Sequence, residues 1–191
     1  ERALFLARRR FEQRLCDAGH GMDHAYVVSL SAQAIGYKGM VVPSQLTRFY
    51  PDLRRDDLHT SAVVFHQRFS TNTLPRWPLA QPFRRLAHNG EINTIAGNRA
   101  WAQARAHVWR SAHVDLREFQ PLVGADGSDS QSLDEMLEVL QAGGMDLLQA
   151  MRILVPPATQ SLEYRDTELA AFYEYHALNS EPWDGPAGIV L

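Results

Sequence analysis

Apolar positions fall into runs of two different periods. Leu4, Phe5, Ala7, Phe11 and Leu15 stand among arginines at near-helical spacing, which predicts an amphipathic helix over residues 2–16. Gly19-His20-Gly21 stops it. Tyr26–Leu30 and Ala34–Tyr37 read as two short strands around a turn, and Ser61–Gln67 as a further β-rich run that leads into Arg68. Pro43 to Tyr50 predicts a short helix with proline near its start. Pro75, Pro78 and Pro82 make residues 72–83 a loop laid over the surface or over a site. Leu86–Asn89 ends a strand, and a helix is expected from near Asn93 to about Arg110.

Further along, Leu133, Met136, Leu137 and Leu140 recur at i, i+3, i+4 and i+7. Ser132 and Glu135 have capping-box spacing in front of that stripe, and Gly143-Gly144 supplies its stop. Two more helices are expected near 145–154 and 165–177. Strands and helices alternate irregularly, with hairpin signals, which argues for α+β rather than a doubly wound parallel sheet.

The 191 residues suffice for one domain with a sizeable core, and 45% hydrophobic with 21% charged residues is ordinary globular usage. A net charge of −3 gives no electrostatic reason for a nucleic-acid partner. No apolar run approaches the roughly 18–20 residues of a membrane helix. The single cysteine, Cys16, excludes an internal disulfide and fits a reducing, cytoplasmic setting. The chain opens Glu1-Arg2-Ala3 and ends in the strand-like Gly188-Ile189-Val190-Leu191. Both ends read as cuts through a longer polypeptide.

Three segments carry candidate chemistry: His66-Gln67-Arg68-Phe69-Ser70-Thr71, His88-Asn89-Gly90-Glu91 and Gly127-Ser128-Asp129-Ser130. If the ligand is an α-amino acid, its carboxylate wants a planar bidentate donor, which Arg68 supplies with help from the Thr71 hydroxyl. Its ammonium wants a carboxylate, and Asp129 fits, because a helix N-terminus alone repels a cation. The Asn89 side chain and the Gly90 backbone N–H then face the carbonyl under attack as an oxyanion hole. Each piece also has a plainer reading: a surface ion-pair arginine, a helix N-cap, and an Asn-Gly turn. The three together, in this order, outweigh the separate readings. His20 and His24 as metal ligands are disfavoured by the glycines around His20. His88 reads as a structural partner beside the hole, and Trp77, Trp101, Trp109 and Trp183 as packing.

HQRFSTNTLPRWPLAQPFRRLAHNGEINTIAGNRAW, GSDSQSLDEMLEVL and AFYEYHALNSEPWDGPAGIV resemble three blocks of the class II glutamine amidotransferase domain of glutamate synthase large subunits. The resemblance covers nearly the whole chain and is weaker over 107–124. It implies an N-terminal-nucleophile hydrolase fold: a four-layer αββα sandwich with two stacked antiparallel sheets, its N-terminal part lying outside this chain. Residues 1–191 are then part of a single domain truncated at both ends. The resemblance assigns Arg68 to the glutamine α-carboxylate, Thr71 beside it, Asp129 to the α-amino group, and Asn89 and Gly90 to the oxyanion hole.

In such enzymes an N-terminal cysteine thiolate attacks the glutamine amide, with its own α-amine as base. Here residue 1 is Glu1, and Cys16, read as a helix thiol partly packed against the core, has no free α-amine. The isolated chain is therefore expected to be inactive, and loss of its N-terminal strands to cause association or poor solubility. For the full subunit the resemblance implies ammonia transfer to a synthase domain that converts 2-oxoglutarate to glutamate. FMN, an iron–sulfur cluster, and NADPH (through a small second subunit) or ferredoxin serve that domain. None of those sites is assignable here, since the chain has neither a cysteine cluster nor a nucleotide-phosphate motif. The rivals are another class II amidotransferase, such as glucosamine-phosphate synthase or asparagine synthetase, and a non-catalytic amino-acid-binding module.

Overall fold

The structure is a computed structural model describing residues 1–21, 25–68, 73–158 and 167–191. Among these are six α-helices and two strands: α1 (Arg2–Asp17), α2 (Leu46–Phe49), β1 (Ala87–Gly90), α3 (Ile95–Arg105), α4 (Asp129–Ala142), α5 (Leu147–Leu154), α6 (Thr167–Ala177) and β2 (Ala187–Val190). The strands pair with each other as a two-stranded sheet. Short 3₁₀ turns at Pro43–Gln45, Pro51–Arg54, Trp77–Leu79 and Leu116–Phe119 fill the connections. The architecture is mixed α and β, as the periodicities predict. The chain divides into two compact units, residues 1–89 with 189–191, and residues 90–188.

In the first unit α1 forms where the arginine-rich stripe predicts it. Its face differs from expectation: Phe5 and Arg8 are buried, whereas Phe11 is exposed. Arg8 is tolerated inside because Glu12, one turn on, takes its guanidinium at 2.7 Å. Glu12 also takes Arg84 at 2.8 Å. The Tyr26 ring lies between two cations, the Arg84 guanidinium carbon at 4.5 Å and the Lys38 Nζ at 4.9 Å from its centroid. Lys38 is itself buried, lies over the Phe83 ring at 4.5 Å, and donates to the Pro78 carbonyl at 3.0 Å. The proline-punctuated segment divides: Leu74 and Pro75 are exposed, whereas Pro78, Leu79, Ala80, Gln81 and Phe83 are buried, so its second half belongs to the core rather than to the surface. Cys16, read as partly packed, is exposed.

Tyr26–Leu30 and Ala34–Tyr37 do not form the expected hairpin. Side chains take the backbone groups a ladder would use: the Ser29 hydroxyl accepts the Gly36 N–H, the Ser31 hydroxyl accepts those of Gln33 and Ala34, and the Glu1 carboxylate accepts that of Ala32. Ser61–Gln67 likewise forms no strand, and Val63 and Phe65 are exposed. Its residues suit a pleated surface, but among the described residues no strand pairs with it, and β propensity alone yields only extended chain.

The second unit is built on α4. Leu133 and Leu137 are completely buried, with Met136 and Val139 beside them. Burying four such side chains is worth about 1.5–3 kcal/mol each. α3 and α5 pack against α4, and α6 against α5. The Asp146 carboxylate caps α5 by accepting the N–H groups of Leu148 and Gln149. The capping residue of α4 is Ser128, not Ser132. The Ser128 hydroxyl accepts the Gln131 N–H at 3.1 Å, while Glu135 instead accepts the Gly124 N–H at 2.8 Å. The helix therefore starts four residues earlier than the capping-box spacing suggests. α3 is shorter than expected. Asn93 is drawn out of it by the Asp184 carbonyl, and beyond Arg105 the Arg110 guanidinium takes the His107 and Trp109 carbonyls. No helix among the described residues is long and apolar enough to cross a membrane.

Candidate active site

β1 leaves the core abruptly. Ala87 and His88 are buried and Asn89 and Gly90 are exposed, so the usual alternation gives way to a two-residue step outward. An amide side chain and a backbone N–H that stand at this step are open to a ligand. Gly90 has φ 154°, in the mirror-image extended region that a side chain disfavours, so a residue without Cβ is required there.

Beyond Gly90 every second N–H is committed. Glu91 donates to the Pro186 carbonyl at 3.0 Å and Asn93 to the Asp184 carbonyl at 2.7 Å, an antiparallel register that continues the β1–β2 pair. Between them, the Ile92 N–H turns the other way and donates to Asp129 Oδ2 at 2.8 Å. Asp129 is thus tied to the residue two positions past Gly90. It is also the first residue of α4, where the helix dipole favours a carboxylate and Ser128 already supplies the cap. The N-cap reading of Asp129 is therefore replaced by a different geometry.

A brace from α3 fixes this helix start. The Arg99 guanidinium donates to the Ser132 hydroxyl at 2.9 Å, the Gly127 carbonyl at 3.0 Å and the Ser128 carbonyl at 3.3 Å. Thr94 and Asn98 bind the returning chain: the Thr94 hydroxyl accepts the Asp184 N–H at 2.9 Å, and the Asn98 amide donates to the Pro182 carbonyl at 3.0 Å. Sequence reading missed Ile92, Arg99 and Lys38. Arg99 and its targets lie 28 to 33 positions apart, a separation that no periodicity reports.

Arg68, in the first unit, is exposed, and its backbone N–H donates to His66 Nδ1 at 3.1 Å. Thr71 and His24 lie outside the described residues. His88 is 2% exposed, so its imidazole lies in the core. Trp183 is core, with its backbone N–H donating to the Leu154 carbonyl, whereas Trp101 is exposed and covered by the Arg105 guanidinium at 4.8 Å. A cleft of about 380 Å³ lined by residues 109–117 contains none of the candidate residues. Among the described residues no group of three or more His, Cys, Asp or Glu is placed to hold a metal ion.

A family profile described as Glutamine amidotransferases class-II matches residues 1–191. The ferredoxin-dependent glutamate synthase of Pyropia yezoensis is 43% identical over all of this chain and 13% of its own length. The glutamate synthase (NADPH) large chain of Azospirillum brasilense is 42% identical over 98% of this chain and 12% of its own length. That of Bacillus subtilis is 41% identical over 99% and 12%. This chain therefore spans about an eighth of the length of these relatives. A profile match over every residue, with this identity along the whole chain, places the protein among the class II glutamine amidotransferases.

Proposed function

We propose that this domain releases ammonia from L-glutamine. The observation that carries the reading is the Asp129–Ile92 bond, which ties the ammonium-binding candidate to the strand exit bearing Asn89 and Gly90. Arg68 takes the α-carboxylate, with Thr71 beside it, and Asp129 takes the α-ammonium. A thiolate attacks the side-chain amide carbon. The Asn89 amide N–H and the Gly90 N–H receive the oxyanion, the α-amine that took the thiol proton gives it to the leaving nitrogen, the C–N bond breaks to release ammonia, and water hydrolyses the γ-glutamyl thioester to glutamate and the free thiol. Cys16, the one cysteine of these residues, lies inside α1 without a free α-amine, so it is not the nucleophile. We assign that role to an N-terminal cysteine encoded upstream.

The fold completed by that segment is the four-layer αββα sandwich of N-terminal-nucleophile hydrolases. In the longer polypeptide, ammonia passes to a synthase domain for reductive amination of 2-oxoglutarate to L-glutamate. FMN, an iron–sulfur cluster and the electron donor, NADPH through a small subunit or ferredoxin, belong to that part. One cysteine in 191 residues does not furnish the thiolates a cluster needs. The exposed lone thiol supports a reducing compartment such as the cytoplasm.

The test is ammonia release from glutamine, comparing this chain with the full-length polypeptide and its variants. Activity is expected only in the full-length form, and Asn89→Ala should lower kcat roughly 10²–10³-fold. Asp129→Asn keeps an acceptor for Ile92 but loses the charge, so KM should rise on the order of tenfold or more. Glutamine binding without turnover in the full-length protein would leave only an amino-acid clamp and overturn the assignment.

A further inference from the structure

Among the described residues no strand lies on the edge of β1 opposite β2, yet both backbone groups of His88 are paired there. Glu91 and Asn93 send their N–H groups toward β2, so by alternation the backbone groups of His88 point to the other edge. Gln81 occupies that place. Its Oε1 accepts the His88 N–H at 2.7 Å, and its Nε2 donates to the His88 carbonyl at 2.9 Å. A carboxamide carries one acceptor and two donors on a planar group, so it reproduces the face of a peptide unit. Here a side chain acts as a one-residue strand.

Gln81 is itself immobilised. It is only 8% exposed, between Ala80 and Phe83 of the core. Phe83 closes the intervening turn by donating its N–H to the Leu86 carbonyl at 2.8 Å. Upstream, the Pro78 carbonyl is held by buried Lys38, whose Nζ lies over the Phe83 ring. Both ends of the 78–88 segment are thus anchored, and the carboxamide cannot follow His88 if that strand drifts.

The carbonyl of His88 belongs to the peptide plane that enters Asn89. Fixing it fixes the direction in which Asn89 leaves the core and Gly90 follows. We propose that Gln81 is a positioning residue of the oxyanion hole, acting through the His88 backbone to hold the Asn89 amide and the Gly90 N–H in place. The inference rests on the glutaminase reading of Asn89 and Gly90. Gln81 touches no substrate in it and contributes no binding to the Arg68 or Asp129 end.

The experiment measures kcat and KM for glutamine-dependent ammonia release in the full-length polypeptide, with Gln81→Met, Asn89→Ala and the double variant. Gln81→Met keeps the length of the side chain and removes both bonds. It should lower kcat about tenfold or more while KM stays within about twofold, because ground-state contacts are untouched. The double variant should be no slower than Asn89→Ala alone, because a misplaced hole and an absent one cost the same step. A double variant slower than Asn89→Ala by the full Gln81→Met factor would show a merely structural role and overturn the proposal. So would a Gln81→Met enzyme with parental kcat. If Asn89→Ala itself retains the parental kcat, the underlying glutaminase reading falls, a different outcome from the failure of Gln81 alone. Where Gln81→Met does not fold, Gln81→Glu, which keeps the acceptor for His88 N–H and loses the donor, decides the same cycle.

Discussion

Replacing Gly185 with alanine tests the turn that leads into β2 and, through it, the strand exit. A Cβ built on Gly185 lies 1.8 Å from the Glu91 carbonyl oxygen, 2.9 Å from its carbon and 3.1 Å from the Asn93 nitrogen. All three are backbone atoms, so no side chain can swing aside. The two segments must part until the first distance exceeds 3.0 Å, below which real Cβ contacts are essentially never found. The bonds on either side, Glu91 N–H to Pro186 and Asn93 N–H to Asp184, are 3.0 and 2.7 Å and cannot both survive that parting. Each is worth about 0.5–1.5 kcal/mol net, and the φ of Gly185 adds roughly 1–3 kcal/mol for any residue with a Cβ. With one of the two bonds lost, the total is about 1.5–4.5 kcal/mol, a fall in Tm on the order of 10 °C for a domain of this size. Thermal and urea unfolding of Gly185→Ala measure it. Gly97→Ala is the control: Gly97 lies within α3 with nothing within 4 Å of its Cβ position, so alanine there should stabilise by about 0.5–1 kcal/mol. A Gly185→Ala protein within about 0.5 kcal/mol of the parent would refute the steric argument, since that is the scatter of ordinary surface substitutions.

Leu137→Ala removes a completely buried side chain from α4 and should cost about 2–5 kcal/mol in urea unfolding. Ser128→Ala removes the α4 cap from a site that is 1% exposed, and should cost about 1–2 kcal/mol while leaving the Arg99 bonds to the backbone carbonyls intact. The Arg117 side chain and then its backbone N–H hold the Asp115 carboxyl down at about 2. Arg117→Gln should return it toward the ordinary value near ~3.9, read by NMR titration of the side-chain carboxyl. Because the folded-state value is depressed, the contribution to stability is present above the unfolded value and is lost as pH falls from roughly 4 to about 2. Phe65→Ser, at an exposed apolar position of the Ser61–Gln67 run, should reduce self-association in gel filtration without lowering Tm.

What the sequence discloses here depends on how far each interaction reaches along the chain. α1 and α4 were legible because an amphipathic stripe and its stop signals lie within one element. Asp129 was legible as an acid at a helix start, and Asn89-Gly90 as an amide beside a glycine, because each is a contiguous chemical word. The expected hairpin at 26–37 failed because serine hydroxyls and the Glu1 carboxylate compete locally for the same N–H groups. Ser61–Gln67 failed for the opposite reason: propensity says that a segment can be a strand, and only a distant partner makes it one.

The interactions that build the candidate site are of the distant kind. Asp129 meets Ile92 across 37 residues, and Arg99 reaches Ser132 across 33. Neither pair leaves a periodic trace, since each member reads locally as something else, a cap or a surface cation. Gln81 is the sharper case, because it is only seven residues from His88 and still illegible. A proline-punctuated segment reads as exposed, so its one carboxamide reads as solvated. Burial reverses that inference. Once Pro78, Leu79 and Phe83 are core, a polar side chain among them must find a donor and an acceptor. The backbone that offers both is the residue before Asn89. The same burial that hid Gln81 from sequence reading is what obliges it to hold the strand.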